Sequence, residues 1–213
     1  MTYPVNLHLE GRHCAVIGGG GVAERKVRAL LEAKARVTVI SPVLTSWLQD
    51  RLAAGHLVQW AVPYSGQPLT GYFLVFCTTN RREVNRLAAA AARQAGALVN
   101  LADDGEGSDF TIPSQVRRGD LLLTVSTGGK SPALSRRLRE ELAERYGSEY
   151  GLYLERLAAL REEIKTVLAD SKDREAFWRQ ALDEEILKLL KQGRIEEAEE
   201  KIQHAVSCCG IKP

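Results

Sequence analysis

Apolar and polar positions alternate with two different periods over the first half of the chain. Short apolar runs rich in Val, Ile and Leu predict five strands, at residues 14–17, 36–40, 57–60, 73–77 and 97–101. Between the runs, apolar residues recur at helical spacing, as at Ala23, Val27, Leu30 and Leu31 and at Val84, Leu87, Ala88 and Ala91. Strands that alternate with helices are typical of βαβ units, so we predict an α/β fold with a parallel sheet.

The second half of the chain is predicted to be mostly helical. One more apolar run, residues 121–125, predicts a sixth strand. Ser131 and Pro132 have the order of an N-cap and a first helical residue, in a helix that ends near Gly147. Beyond it, segments rich in Glu, Lys, Arg, Leu and Ala predict helices at residues 152–169, 174–191 and 194–205, separated by breaks at Gly151 and Gly193. We interpret three apolar side chains there as core: Phe177, Trp178 and Leu182.

Composition and charge exclude several classes of protein. The 213 residues include 29 basic and 27 acidic side chains, so the basic excess of a nucleic-acid-binding protein is missing. No segment approaches the roughly 20 apolar residues of a membrane span, and the first residues carry no cleavage-like signal. Four cysteines, at positions 14, 77, 208 and 209, form no CxxC pair. We therefore expect a cytoplasmic protein with reduced cysteines and neither a nucleic-acid nor a membrane partner.

A glycine-rich loop follows the first predicted strand and precedes the first predicted helix. Gly18, Gly20 and Ala23 match the pattern GxGxxG/A of the dinucleotide-binding Rossmann fold. In that pattern Gly18 permits a tight turn, Gly20 lets the backbone approach a pyrophosphate, and Ala23 lets the helix pack closely on the strand. Four consecutive glycines also occur in flexible surface turns, but the flanking strand and helix favour a dinucleotide site, with NAD as cofactor.

Further contacts of the cofactor are predicted at the carboxyl ends of the strands. The second strand is followed by Ser41, where many such folds carry the acidic residue that binds the ribose 2′-hydroxyl, so discrimination against NADP is expected to be weaker. Ser41 or nearby backbone is then expected to hold the ribose. Thr78 and Thr79 either line the cofactor or close a strand-end turn. The full set predicted to bind the cofactor is Gly18, Gly20, Gly21, Val22, Ala23, Ser41, Pro42, Val43, Thr78, Thr79 and Asn100.

Several motifs in order along the first 145 residues resemble one family, the precorrin-2 dehydrogenases, which also form the first part of sirohaem synthases. The motifs are Tyr-Pro-Val at 3–5, the glycine run and its helix at 18–26, Val-Asn-Leu-Ala-Asp-Asp at 99–104, Asp-Phe-Thr-Ile-Pro at 109–113 and Ser-Thr-Gly-Gly-Lys-Ser-Pro at 126–132. The glycine pattern alone is generic, but its combination with the later motifs is specific to this family.

The resemblance implies a fold and an activity. It implies a homodimer with a Rossmann domain at residues 1–113, a small α+β dimerisation region at 114–147 and a helical C-terminal domain at 148–213. The implied reaction is oxidation of precorrin-2 to sirohydrochlorin with NAD, in the biosynthesis of sirohaem. Some members of the family also insert ferrous iron into the product.

Asp103 is the candidate catalytic residue. It matches the family carboxylate implicated in the chemistry, and it follows a strand end beside the expected nicotinamide. Oxidation of the macrocycle requires loss of a proton, which a positioned carboxylate can accept as general base. The same carboxylate could hold a metal ion or a pyrrole N–H, or merely close a turn. We interpret Asp104 and Asp109 as structural.

The loop before the helix at 132 is the candidate substrate site. Its N–H groups, hydroxyls and one amine are predicted to receive the carboxylates of precorrin-2, and its residues are Thr127, Gly128, Gly129, Lys130 and Ser131. Arg136, Arg137 and Arg139 on the following helix either add charge-assisted hydrogen bonds or form a solvated basic face.

Two other functions compete with the dehydrogenase. One is a regulatory module that senses NAD and has no catalytic activity. The other is a chelatase whose nucleotide site is vestigial. The four histidines, at 8, 13, 56 and 204, have no ligand spacing, so the sequence indicates no histidine metal site and assigns no metal ligand beyond Asp103.

Overall fold

The structure is a computed structural model that describes residues 2–168, 170–181 and 184–208. It divides into two compact units, Met1–Ile112 and Pro113–Pro213. Leu182 and Cys209 lie outside the described residues.

The first unit is built on a parallel sheet of five strands in the order β3-β2-β1-β4-β5. The strands are β1 (His13–Ile17), β2 (Arg36–Ile40), β3 (Leu57–Trp60), β4 (Leu74–Cys77) and β5 (Leu98–Leu101). Every residue of β4 is buried, as are the last four of β1, because the two central strands are covered on both faces. The predicted parallel sheet is confirmed, with strand starts that differ from the prediction by at most one residue.

Three helices accompany this sheet: α1 (Gly21–Glu32), α2 (Ser46–Ala53) and α3 (Arg82–Gln94). The sequence pattern predicts α1 and α3, whose apolar stripes are broad. Helix α2 was not predicted because Leu48 is its one buried residue. It begins where the Thr45 hydroxyl accepts a hydrogen bond from the Leu48 N–H, at 3.4 Å.

The second unit opens with an antiparallel hairpin, β6 (Ser114–Arg118) and β7 (Leu121–Val125). The described residues after the hairpin form the helices α4 (Pro132–Arg145), α5 (Glu149–Val167), α6 (Ser171–Ala181), α7 (Glu184–Lys191) and α8 (Ile195–Cys208). The predicted N-cap is confirmed, because the Ser131 hydroxyl accepts from the Leu134 N–H at 3.2 Å. Phe177 is buried and Trp178 packs against the same helical core, as interpreted from the sequence.

One expectation about the helices was wrong. Gly151 does not break a helix but lies in the first turn of α5, where a Cβ would come within 2.9 Å of the Arg118 carbonyl carbon. Glycine is needed there because the helix approaches the hairpin backbone. The described parts of the helix predicted at 174–191 are helical, within α6 and α7. Gly193, by contrast, does separate two helices, with φ of +71°.

Candidate functional site

The glycine-rich loop joins β1 to α1, and the fold itself requires glycine at two of its positions. Gly18 has φ of +114°, and a Cβ there would lie 2.9 Å from the Thr78 hydroxyl oxygen. A Cβ at Gly19 would lie 2.0 Å from the Val43 carbonyl oxygen. Gly18 therefore has the turn function predicted for it. The close approach at Gly19 was not predicted, because the pattern leaves that position unspecified.

The next two glycines have a different environment. A Cβ at Gly20 or Gly21 would meet nothing within 4 Å. Gly20 has φ of −87°, which any residue adopts, so neither backbone strain nor packing in the protein demands glycine there. A phosphate group bound close to the backbone here would leave no room for a side chain and would therefore require glycine. The loop thus fits a dinucleotide.

The N-terminus of α1 has hydrogen-bond donors available for such a group. Gly20 is the N-cap and has no side chain to satisfy the first N–H groups, and the first intrahelical bond runs from the Glu24 N–H to the Gly20 carbonyl. The positive end of the helix dipole lies at the same place. Anions are therefore favoured in front of this helix.

A cavity of about 500 Å³ lies at the carboxyl ends of β1, β2 and β4. Because the strand order reverses between β1 and β4, this edge is the place where ligands of open α/β sheets bind. Eight of the residues predicted to bind the cofactor line the cavity: Gly18, Gly20, Gly21, Val22, Ser41, Pro42, Thr78 and Thr79.

Three of the predicted residues do not line this cavity. Ala23 is completely buried in the packing of α1 on the sheet, and Val43 is 73% exposed. Asn100 is buried on β5, where its side-chain amide donates to the Phe110 carbonyl oxygen at 2.9 Å. The amide of Asn100 is therefore used to hold the segment after β5.

Sequence reasoning missed other residues of the cavity lining, among them Gly19, Tyr64, Asn80 and Arg81. Asn80 and Arg81 directly follow the predicted Thr79 and could have been found by extending the strand-end loop. Tyr64 lies in the irregular connection between β3 and β4, for which the sequence carries no signal.

Hydrogen bonds hold the walls of the cavity. The Ser41 hydroxyl donates to the Val43 carbonyl at 2.8 Å, and the Thr78 hydroxyl donates to the Ile17 carbonyl at 2.8 Å. The buried Asn85 donates to the Thr79 carbonyl at 2.9 Å and accepts from the Thr79 N–H at 3.1 Å. The loop after β4 is thus preorganised by the protein.

Arg81 is the one lysine, arginine or carboxylate side chain among the described residues that line the cavity. Its guanidinium lies 4.0 Å from Glu83, in a pair that is largely exposed on both sides. Arg81 therefore adds positive charge near the open helix N-terminus.

The three aspartates after β5 differ in what they contact. Asp104 accepts from the Gly107 N–H at 2.8 Å, and Asp109 accepts from the Val99 N–H at 2.9 Å and pairs with Arg93 at 3.0 Å. Both are engaged by backbone, in agreement with their structural interpretation. Asp103 lies two residues beyond the end of β5 and is 45% exposed.

The thiols of the first unit lie in the core of the sheet. Burial raises the pKa of Cys14 to about 11. Burial also raises the pKa of Cys77 to about 12, with a smaller contribution from the negative charge of Asp103. Both thiols are protonated at neutral pH, as is usual for cysteines buried among apolar residues.

In the second unit, the loop before α4 forms a network of its own hydroxyl groups. The Thr127 hydroxyl oxygen accepts from the Ser131 N–H at 3.2 Å and lies 3.0 Å from the Ser135 hydroxyl. Gly128 and Gly129 have φ of +61° and +79°. The loop presents the exposed Lys130 at its tip.

The arginines of α4 pair with glutamates of the same helix. Arg136 lies 3.0 Å from Glu140, and Arg137 lies 3.1 Å from Glu141. Arg139 also pairs with Glu140, at 3.1 Å. These pairs favour the interpretation of a solvated charged face over a dedicated anion site.

The described residues contain neither a cluster of metal-ligating side chains nor a helix that could span a membrane. In the parts of the chain that the structure describes, no three His, Cys, Asp or Glu side chains are grouped so as to hold a metal ion. None of the described helices has the length and apolar character of a membrane span.

Three family models match successive parts of the chain. Residues 5–114 match the family described as Putative NAD(P)-binding, residues 118–145 the Sirohaem biosynthesis protein central region, and residues 149–206 the Sirohaem synthase dimerisation region. The dimerisation match thus falls on the helices from α5 onward, whereas the resemblance placed dimerisation at 114–147. The domain limits inferred from the sequence remain a prediction.

Known proteins are similar over most of the chain. Siroheme synthase 3 of Aeromonas hydrophila is 40% identical over 184 residues, which are 85% of this chain and 39% of that protein. Siroheme synthase of Nitrosomonas europaea is 35% identical over 208 residues, 97% of this chain and 44% of that protein. The chain therefore spans about two fifths of the length of these relatives.

A solved structure of SirC, a precorrin-2 dehydrogenase, matches with a TM-score of 0.78 and 27% identity, over 95% of this chain and 100% of that one. The fold, the order of the three matched regions and the sequence relatives agree with one another. The chain belongs to the family described as Putative NAD(P)-binding, and over most of its length it is similar to sirohaem synthases and to the precorrin-2 dehydrogenase SirC.

Proposed function

We propose that this protein is an NAD-dependent dehydrogenase that oxidises precorrin-2 to sirohydrochlorin in sirohaem biosynthesis. The observation that carries the proposal is the cavity at the sheet edge, where Gly20 and Gly21 leave room for a ligand in front of the open N-terminus of α1. The similarity to SirC, which extends over the whole of that chain, supports the substrate.

The cofactor is assigned to this cavity. The backbone N–H groups at the start of α1 would hold the pyrophosphate, and Arg81 would add positive charge beside it. Ser41 and Pro42 would border the adenosine ribose, and Thr78 and Thr79 the other half of the molecule. NAD⁺, when bound, supplies the two-electron acceptor, so that each oxidation yields one NADH and one proton.

Asp103 is the proposed general base. Its carboxylate is accessible and, unlike those of Asp104 and Asp109, accepts no backbone hydrogen bond from the described residues, so it can accept the proton that the substrate loses. A positioned general base contributes roughly 10² to 10⁴ in rate. No metal role is assigned to it.

The substrate carboxylates are assigned to the loop before α4. Lys130 offers an exposed ammonium, and Gly128 and Gly129 present backbone without side chains around it. Thr127 and Ser131 shape the loop through their mutual hydrogen bond. Because precorrin-2 carries many carboxylates, several such contacts together would orient it.

A homodimer is proposed as the active assembly. The support is the match of residues 149–206 to the sirohaem synthase dimerisation region. Multi-angle light scattering at micromolar concentration tests it: a mass of twice the chain is expected, and a monomer would contradict the proposal.

The function is tested by anaerobic incubation of the purified protein with precorrin-2, with NAD⁺, NADP⁺ or neither, while sirohydrochlorin and reduced nucleotide are followed by absorbance. Equal amounts of sirohydrochlorin and NADH, and no product without nucleotide, are expected. Binding of NAD⁺ without turnover would favour the regulatory module. Insertion of ferrous iron into sirohydrochlorin without NAD-dependent oxidation would favour the chelatase.

A further inference from the structure

Helix α3 begins with two adjacent arginines at the edge of the sheet that carries the cavity. Arg81 is the N-cap and Arg82 the first helical residue. They follow β4, which pairs in parallel with β5, so the start of α3 and the segment after β5 lie at the same edge. Asp103 belongs to that segment.

The two arginines face different partners. Arg81 lines the cavity assigned to the dinucleotide, whereas Arg82 is not part of its lining. The Nε of Arg82 lies 3.5 Å from Oδ2 of Asp103. Arg81 thus lies at the cavity, whereas the neighbouring Arg82 pairs with the carboxylate of Asp103.

Arg82 is the one ion-pair partner of Asp103 among the described residues. The carboxylates of Asp104 and Asp109 are held by backbone N–H groups, but among the residues that the structure describes none donates a backbone hydrogen bond to the carboxylate of Asp103. Without Arg82, the Asp103 side chain would be free to rotate between several rotamers. The closest contact of Arg82 is with Oδ2, so Oδ1 is the oxygen that we assign to accept a proton.

We propose that Arg82 is a positioning residue for Asp103, which it holds in one orientation at the end of β5 while Oδ1 takes the proton released in the reaction. The inference rests on the proposed function. Arg82 lies outside the lining of the cavity assigned to the nucleotide, and the role proposed for it is exerted through the carboxylate.

The expected effect is moderate. Arg82 is 68% and Asp103 45% exposed, and solvent screens such a pair, so its loss is expected to lower kcat by about two- to fivefold. Loss of this exposed pair should leave the free energy of unfolding essentially unchanged. Loss of the carboxylate itself should lower kcat by about 10² or more.

The test compares the steady-state kinetics of Arg82→Ala, Arg82→Lys and Arg86→Ala in the full chain, with thermal unfolding of each variant as a check on folding. Arg86 is a matched control, because it is an exposed arginine one turn further along α3. We expect Arg82→Ala to lower kcat with the KM for NAD⁺ unchanged, Arg82→Lys to recover most of the loss, and Arg86→Ala to behave as wild type.

A double-mutant cycle with Asp103→Asn supplies the decisive readout. If Arg82 acts through the carboxylate, Arg82→Ala lowers kcat in the wild-type background but not in the Asp103→Asn background. An equal loss in both backgrounds, a change in KM alone, or no difference between Arg82→Ala and Arg86→Ala would overturn the inference. A wild-type protein that binds NAD⁺ but does not oxidise precorrin-2 would instead overturn the proposed function, and this inference with it.

Discussion

The loop before α1 and the loop before α4 both pass through glycines into the N-terminus of a helix, but they use those glycines differently. At Gly18 and Gly19 a Cβ would collide with neighbouring segments, whereas at Gly128 and Gly129 it would meet nothing, and a positive φ is what favours glycine. The first loop is therefore packed into the fold and the second is an exposed turn.

The N-termini of α1 and α4 differ in their capping. Helix α4 is capped by its own Ser131, but Gly20 provides no side-chain cap for α1. The N–H groups of α1 remain available at the edge of a cavity of about 500 Å³. An uncapped N-terminus above a cavity is a better indication of an anion site than glycine content alone.

Gly19→Ala should have the largest effect, because its Cβ would lie 2.0 Å from the Val43 carbonyl oxygen and the backbone must move. We expect a loss of about 3 kcal/mol in the free energy of unfolding, measured by urea denaturation. Gly128→Ala, the control in the other loop, has no collision and should lose about 1 kcal/mol from its positive φ. Equal losses at the two positions would remove the distinction between the loops.

Gly20→Ala should separate binding from folding. Its Cβ enters open space in the protein, so the free energy of unfolding should stay within about 0.5 kcal/mol of wild type. The affinity for NADH should fall about tenfold or more, because the methyl group occupies the place of a phosphate. Fluorescence titration of the bound nucleotide measures this, and unchanged affinity would contradict the cavity assignment.

Ser131→Ala should destabilise the second unit by about 1 kcal/mol, because it removes the cap of α4. Nucleotide affinity should not change, since Ser131 is assigned to the substrate loop. Denaturant unfolding and NADH titration on the same variant report both quantities. A fall in nucleotide affinity would mean that the two loops are not independent.

The smallest effect is expected for the two thiols buried in the parallel sheet, Cys14 and Cys77. Since burial raises the pKa of Cys14 to about 11 and of Cys77 to about 12, the thiolate is scarce in the folded protein at pH 8. Iodoacetamide at that pH should leave both unmodified, as read by peptide mass spectrometry, and should label both in denaturant. Labelling of either thiol in the native protein would show that the sheet opens.

The same thiols should make stability depend on pH in alkali. As pH rises above about 9, they ionise in the unfolded chain before they ionise in the folded protein, so the free energy of unfolding should fall.

The sequence alone predicted the strands, the turn and the helix cap that depend on residues close together in the chain. The apolar runs predict every strand of the parallel sheet. The signal is clearest for the central strands β1 and β4, because strands covered on both faces are continuously apolar. The cap at Ser131 and the turn at Gly18 also follow from neighbouring residues. Strand β6 was missed because Val116 is its one buried residue, and its partner Leu123 carries the apolar pattern of the pair.

Other features were decided by residues distant in the chain. Position 19 requires glycine because a Cβ there would collide with the Val43 carbonyl oxygen beyond the end of β2. Position 151, inside α5, requires glycine because the backbone of the hairpin lies against it. Tyr64 and Arg81 join one cavity only after the strand order is set. The sequence thus determined the elements and the glycine loop, since periodicity and turns are local, while the structure decided which segments meet, since close contacts depend on the packed fold.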